Sequence, residues 1–412
     1  MEKLAIHGGT PISSGDFNSR LQGARLLDDR ERQAVLEVLE SQALFRYAPG
    51  ARKVAEFERD FAARLGIDYA LAVCSGTAAL HIAFASLGLT CGDEVLVPAF
   101  YYVATAHAIL ATGAIPVFVE VDESLGMDLE DLRRKISPRT KAIVPVHMRG
   151  VPSNITAISA IAKEHGLLLI EDCAQSCGAT FQGQHVGTFG DAAAFSLQHE
   201  KVLTTGDGGV VVTKDPDVYE RAVRFHNNGN FPGASREQAV IALNLRMPEL
   251  SGAVAGEQLK KLDGILAQPR ARHRKLKAGL ATLSPQYPIE FQRVHDPEGD
   301  LGISLVMFVP EAKGEEFSRA LSAEGIPNWW LYSSLGHSYH TSYQLLQKRT
   351  LNSKGFPFSC YPEVEYYPGM CPQTDSLLRR SIHFDINPFL TDEDLDKIIA
   401  GVEKVAYWLL RD

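Results

Sequence analysis

Three short stretches of this chain carry residues that could do chemistry together. The first is Ser75-Gly76-Thr77, which follows a short apolar run and opens a helical pattern. Unpaired N–H groups at a helix start attract anions, and glycine lets a phosphate approach closely. The same residues would also make a plain N-cap, with Ser75 or Thr77 as the capping hydroxyl. The second is Asp172, which ends the run Leu167-Leu168-Leu169-Ile170-Glu171. A carboxylate behind so apolar a run is partly buried, and a buried charge needs a cationic partner. A protonated heterocyclic nitrogen, an arginine or lysine, or a helix start would each satisfy it. The third is Lys201 with Ser196. Lys201 stands in a polar turn between the apolar run ending at Ser196 and strand-like residues 210–213, beside Gly206, Gly208 and Gly209. Most lysines are surface charges, and Lys201 taken alone could be one. A phosphate site, a buried carboxylate and a lysine at one sheet edge suit pyridoxal phosphate. That cofactor has a phosphate, an aldehyde that condenses with a lysine amine, and a ring nitrogen that an acid keeps protonated.

Those stretches need elements to position them. Apolar periodicity predicts helices over 27–41 and 54–65. An alternation follows, with strands over 70–73, 95–97, 115–121, 142–146 and 167–170. Helices over 75–87, 103–111, 129–135 and 155–164 separate them. Strands at this spacing imply right-handed βαβ units in a mostly parallel sheet covered on both faces. Ligands in such sheets sit outside the carboxyl ends of the strands, where the three stretches fall. A helix begins near 248. Beyond about 275 the pattern changes to a strand over 303–309 and helices over 313–324 and 392–408, an α+β arrangement. The predicted architecture is an α/β large domain over residues 1–270, including an N-terminal arm, and a small C-terminal α+β domain over 271–412.

Composition excludes several classes. With 45% hydrophobic and 22% charged residues, the chain is an ordinary globular protein. A net charge of −9 argues against a nucleic-acid partner, which needs a basic surface. Residues 96–119 contain no Asp, Glu, Lys or Arg, but Pro98, Gly113 and Pro116 divide them into buried pieces, so no membrane span is expected. The six cysteines show no paired spacing, and neither a zinc site nor a disulfide scaffold is indicated. His337 and His340 lack a matched carboxylate, so no metal is expected. The N-terminus has no signal-peptide pattern, and the cytoplasm is the expected compartment.

Further motifs, in order and at matching intervals, carry a family resemblance. They are His7-Gly8-Gly9-Thr10-Pro11, Ser75-Gly76-Thr77-Ala78-Ala79-Leu80-His81, Pro145-Val146-His147 and Glu171-Asp172-Cys173-Ala174-Gln175-Ser176. Phe195-Ser196 with Lys201, Gly206-Asp207-Gly208-Gly209 and Asn244-Leu245-Arg246-Met247-Pro248-Glu249-Leu250 continue the series. Through them the chain resembles the sugar aminotransferases of the DegT/DnrJ/EryC1/StrS group, which have the aspartate aminotransferase-like fold (fold type I) of pyridoxal-phosphate enzymes. The resemblance implies that Lys201 forms the Schiff base with the cofactor and shuttles the proton. It implies that Asp172 pairs with the ring nitrogen and that Gln175 lies against the phenolic oxygen. Gly76, Thr77 and Ser196 would bind the phosphate, and Tyr102 would stack on the ring. Asn244 would reach the phosphate from the neighbouring subunit, so a homodimer with shared active sites is implied.

The implied reaction moves an amino group from Glu or Gln to a keto sugar or keto cyclitol. Gln198-His199-Glu200 is similar to the cyclitol and aminohydroxybenzoate branch of the family. Cys371-Pro372-Gln373-Thr374-Asp375 is similar to enzymes that aminate an eight-carbon keto sugar acid. Asp207 stands where the family usually has Glu. Residues of suitable type for substrate contact are His226, Asn227, Asn228, Trp329, Tyr332 and His337, with domain packing as the alternative for Trp329. His147 either lines the pocket or hydrogen-bonds at a strand end. Two other functions compete. A pyridoxal-phosphate dehydratase or eliminase would keep the cofactor, but relatives that dehydrate replace the lysine by histidine. A non-catalytic nucleotide-binding or regulatory module would need a GxGxxG pattern, which Cys74-Ser75-Gly76-Thr77-Ala78-Ala79 does not supply.

Overall fold

The near-continuous apolar runs between residues 69 and 213 pair into one sheet of seven strands. The coordinates are a computed structural model and describe residues 1–15, 17 and 23–411. The strands of this sheet are β1 (Tyr69–Val73), β2 (Glu94–Pro98), β3 (Ile115–Val119), β4 (Thr140–Ile143), β5 (Leu168–Asp172), β8 (Ala192–Ser196) and β9 (Gly209–Thr213). A small hairpin, β6 (Thr180–Phe181) with β7 (Gln184–His185), lies between β5 and β8 in the chain. The spatial order is β1-β9-β8-β5-β4-β2-β3. Every neighbour pair from β8 to β3 is parallel, while β9 runs antiparallel to both β8 and β1. The carboxyl ends of β1, β2, β5 and β8 therefore face one edge.

Strands β2, β8 and β9 are buried at every position, which requires cover on both faces. Helices α1 (Asp29–Ser41), α2 (Lys53–Leu65), α3 (Gly76–Ser86), α4 (Val103–Thr112), α5 (Leu129–Arg134), α6 (Ile155–His165), α7 (Pro216–His226) and α8 (Glu249–Ala281) surround the sheet. On one face Phe57, Phe61, Phe195 and Leu262 form a core, with the Phe61 and Phe195 rings edge-on at 5.2 Å. On the other, Leu80, Phe84 and Ile109 pack with Leu71 and Ala194.

A second sheet, antiparallel throughout, has the order β10-β11-β13-β12. Its strands are β10 (Glu290–Phe291), β11 (Ser304–Phe308), β12 (Trp329–Trp330) and β13 (Ser381–Asp385). Helices α9 (Gly314–Ala323), α10 (Tyr343–Leu346), α11 (Pro372–Arg380) and α12 (Asp392–Leu409) complete the chain. Phe317, Phe384, Leu395 and Val405 form its core with Leu276 and Leu280 of α8, and Leu4 from the N-terminal end joins them.

Several elements differ from the sequence expectation. β4 stops at Ile143 rather than 146, because Pro145 offers no N–H for the ladder; Val146 keeps only an isolated bridge to Asp172. Glu171 and Asp172 lie within β5, not beyond it. The helix begun at Glu249 runs for 33 residues, straight through the buried Pro269. Its first half packs on the large sheet (Leu259, Leu262) and its second half on the small one. α7 was not expected, although Asp215 and Pro216 supply a start signal, with Asp215 capping Asp217 and Val218.

Candidate active site

The carboxyl edge of the large sheet carries the three chemical stretches. α3 starts directly after β1, with the Ser75 hydroxyl capping Ala78 N at 3.1 Å. The first-turn N–H groups of Gly76 and Thr77 have no acceptor within the helix. A Cβ placed on Gly76 would fall 2.6 Å from Ser196 Cβ, at the end of β8. Only glycine allows the α3 start and the β8 end to approach this closely, and the outcome is a cradle of N–H groups beside a hydroxyl.

Asp172 closes β5 and is 2% exposed. Its oxygens accept from Thr105 Oγ1 at 2.7 Å and from Ala174 N at 3.0 Å. Among the described residues no side-chain cation lies within ion-pair distance of it. Burial raises its pKa above the usual carboxylate value, against the lowering effect of those two hydrogen bonds and of the Lys201 and His147 charges. Lys201 follows β8 in the turn that leads to β9. Burial lowers its pKa, Asp172 and Glu200 oppose that shift, and Arg149 adds to it. Each of Asp172 and Lys201 is close enough to move the titration of the other. Gln175 Oε1 accepts from Arg149 N at 2.9 Å, leaving its amide donors for the cavity.

A cavity of about 430 Å³ is lined by Gln175, Ser196 and Lys201 from the large sheet, whereas Gly76, Thr77 and Asp172 lie outside its lining. Its opposite wall comes from the C-terminal half of the chain, with Trp329, His337, Asp385 and Asn387. Trp329 Nε1 donates to Asp385 Oδ2 at 3.0 Å, and Arg149 lies 3.9 Å from Asp385 Oδ1. Tyr102, the N-cap of α4, lies outside the lining, with its ring 5.2 Å from that of His337.

Of the substrate-contact candidates, the structure brings only Trp329 and His337 to the cavity. Tyr332 lies outside its lining, with its ring stacked on His340 at 4.2 Å and under Arg379 at 5.1 Å. His226, Asn227 and Asn228 also lie outside it. α7 carries His226 into the interior, where Nδ1 meets Val223 O at 2.6 Å and Nε2 faces Tyr47 Oη at 3.3 Å. Burial pushes its pKa down to about 3. Asn227 accepts from Arg246 Nη1 at 2.8 Å and forms a bridge with Asn244, so Asn244 too stands apart from this chain's own cavity. His147 is structural. Its Nδ1 accepts from Ser153 N at 3.0 Å and its Nε2 donates to Glu171 at 3.2 Å. With both ring nitrogens used, the buried His147, Glu171 and Cys173 group has no free imidazole lone pair for a metal.

The sequence reading did not select Arg149, Asp385 or Asn387. Arg149 has left-handed backbone (φ 53°), which no residue-type rule anticipates for arginine. Asp385 and Asn387 follow the alternation Ile382, Phe384, Ile386, which was the available signal for β13.

These groups fit pyridoxal phosphate on their own terms. A buried carboxylate with no cation beside it among the described residues suits a protonated ring nitrogen, the glycine cradle suits a phosphate, and the nearby lysine has a depressed pKa. Fold and site together define a pyridoxal-phosphate-dependent aminotransferase of fold type I. The chain belongs to the DegT/DnrJ/EryC1/StrS aminotransferase family, whose sequence profile matches residues 25–403. It is 38% identical over 261 residues to GDP-perosamine synthase of Vibrio cholerae, covering 63% of this chain and 70% of that enzyme. It is 32% identical to the L-glutamine:2-deoxy-scyllo-inosose aminotransferase of Streptoalloteichus tenebrarius, covering 98% of this chain and 97% of that enzyme. The solved aminotransferase from Psychrobacter cryohalolentis superposes with a TM-score of 0.80 at 25% identity, covering 93% of this chain and 98% of that one.

Proposed function

We propose that the enzyme transfers an amino group from glutamate or glutamine to a keto cyclitol or keto sugar. The observation that carries this is the buried Asp172, with no side-chain cation at ion-pair distance among the described residues, within electrostatic reach of Lys201, which lines a cavity of ligand-pocket size. The similarity to a GDP-perosamine synthase and to an L-glutamine:2-deoxy-scyllo-inosose aminotransferase supports the acceptor class.

Bound pyridoxal phosphate supplies an electron sink next to the carbon that loses its proton. The chain's residues do the rest. Lys201 Nζ holds the cofactor at rest and then takes and returns the proton; a depressed pKa leaves more of it as free amine near neutrality. Asp172, oriented by Thr105 and Ala174, keeps the ring nitrogen protonated. Gly76, Thr77 and Ser196 hold the phosphate, Gln175 meets the phenolic oxygen and Tyr102 covers the ring. Asn244 of the partner subunit completes the phosphate site, which makes the enzyme a homodimer with shared active sites. Residues 1–270 act as the cofactor-binding unit and 271–412 as the smaller unit, on the support of their two separate cores, although Leu4 and Ile12 pack with the second core and α8 spans the boundary. Among the described residues no helix is long and apolar enough to cross a membrane. The cysteines, all free among those residues, support the cytoplasm as compartment. Net charge supports small-molecule partners rather than nucleic acid.

The test is to purify the yellow holoenzyme, convert it with glutamine or glutamate, and present keto cyclitols and nucleotide-linked keto sugars. Bleaching by the donor and recovery of colour with an acceptor, together with an aminated product by mass spectrometry, is the expected result. If no amino acid bleaches the cofactor, transamination is wrong.

A further inference from the structure

Two cysteines far apart in the sequence meet at the surface. Cys91 lies in the turn between α3 and β2, and Cys360 ends a short 3-10 helix, Phe358–Cys360. Both are exposed, and their Sγ atoms are 3.2 Å apart, with one thiol donating to the other sulfur. The contact is built by its neighbours. Tyr361, adjacent to Cys360 and 2% exposed, accepts from Gly92 N, adjacent to Cys91. The same hydroxyl donates to Gly113 O at 3.1 Å. Gly113, with φ +94°, comes so close that a Cβ there would lie 3.3 Å from Cys91 Sγ and from Phe356. A buried phenol thus pins the backbone beside each sulfur. A disulfide needs about 2.05 Å between sulfurs, a closure within reach of side-chain rotation.

We propose that Cys91 and Cys360 are a reversible redox site that closes to a disulfide when the protein meets a peroxide. The chemistry balances with hydrogen peroxide as oxidant. One thiolate attacks a peroxide oxygen, the O–O bond breaks, and a sulfenic acid and water result. The second sulfur then attacks the first, the S–O bond breaks, and a second water leaves. The two sulfurs lose two electrons in total, and the peroxide gains them. The Cys91 thiol is itself raised, chiefly by its hydrogen bond with Cys360, so exposure rather than acidity sets the pair apart. Cys74 is half-buried, and burial raises its thiol. Cys173, Cys177 and Cys371 are buried, and burial pushes the Cys177 and Cys371 thiols up to about 12. The bond ties the turn that leads into β2 of the large sheet to the segment between residue 341 and β13. That segment joins two stretches of the cavity wall, one with His337 and one with Asp385. It closes a loop spanning 269 positions, so it restrains the unfolded chain strongly.

The experiment treats the holoenzyme with hydrogen peroxide, blocks free thiols, digests and maps the peptides. The expected result is a linked Cys91–Cys360 peptide within one chain, loss of two titratable thiols, and reversal by dithiothreitol. Oxidation also raises the thermal midpoint of the wild type, whereas Cys360→Ser, a surface change, shows neither the link nor the rise. Sulfinic acid at either cysteine in place of the link, a link between two chains, or an equal rise in Cys360→Ser would each overturn the proposal.

Discussion

Asp172→Asn separates a cofactor-pairing role from a structural one. Asparagine has nearly the same shape. Its Oδ1 can keep the bond from Ala174 N, and its amide can donate to Thr105 Oγ1. The Thr105 proton then turns to Tyr102 O, already 3.0 Å away. The fold is therefore retained while the charge is lost. Removing one member of a buried ion pair costs about 3–5 kcal/mol. At about 1.4 kcal/mol per decade, kcat/KM falls by roughly two to three and a half orders of magnitude. The cofactor-free protein moves the other way. The Asp172 pKa is raised on folding, so its contribution is fully present below the unfolded value of 3.8 and is lost as pH rises through the folded value. Wild-type apoprotein therefore loses stability with rising pH in a way that the Asn variant does not. Above the folded value the variant apoprotein melts higher than wild type, while its catalysis is lower. Steady-state kinetics, and thermal melts over a pH series rising from the unfolded value of 3.8, with and without cofactor, make the comparison. A variant within tenfold of wild-type kcat/KM, or an apoprotein destabilised equally at every pH, would refute the pairing.

Other perturbations follow from the same geometry. Lys201→Ala should fold, lose the borohydride-reducible link to the cofactor and lose roughly 10²- to 10⁴-fold or more in turnover, checked by absorbance and single-turnover kinetics. Gly76→Ala places a Cβ 2.6 Å from that of Ser196 and should cost about 1–3 kcal/mol of stability along with weaker cofactor binding. Adding Ser196→Gly should recover the melting temperature but not the cofactor affinity, which fluorescence titration reads. Asp300, 5% exposed, has its pKa raised from 3.8 to about 6 by burial, against the Gly302 N–H and the Lys277 and Arg270 charges. That raised value favours the folded state at low pH and is lost between about 3.8 and about 6, a difference of about 3 kcal/mol at about 1.36 kcal/mol per unit. Asp300→Asn should flatten that part of the stability profile in denaturant titrations.

The candidate residues that the sequence points to share one property: each stands at the carboxyl end of a strand in the large sheet or within a few positions after it. Strand periodicity located those ends, parallel topology put them on one edge, and residue type then had meaning. Gly76, Asp172, Ser196 and Lys201 could be found this way because their neighbours in sequence are also the elements that hold them. The opposite wall has no such link. Trp329 and His337 were chosen because aromatic and imidazole rings suit sugars, and the fold does bring them to the cavity. His226 was chosen on the same ground, and α7 turns it inward to bond Val223 and face Tyr47. The difference between the two outcomes is tertiary: β12 and the turn after it contribute Trp329 and His337 to the cavity wall, whereas α7 packs on α3, β1 and β9. Arg149 shows the limit most sharply. Its left-handed backbone presents its N–H to Gln175 and its guanidinium toward Asp385, a residue more than 200 positions later. Local pattern carries no information about such a pairing, because the contact exists only after both sheets have packed. The cavity wall that faces Lys201 is built from contacts of that kind, so a pattern read along one chain reaches the strand ends at Asp172 and Ser196 but not the side chains packed opposite them.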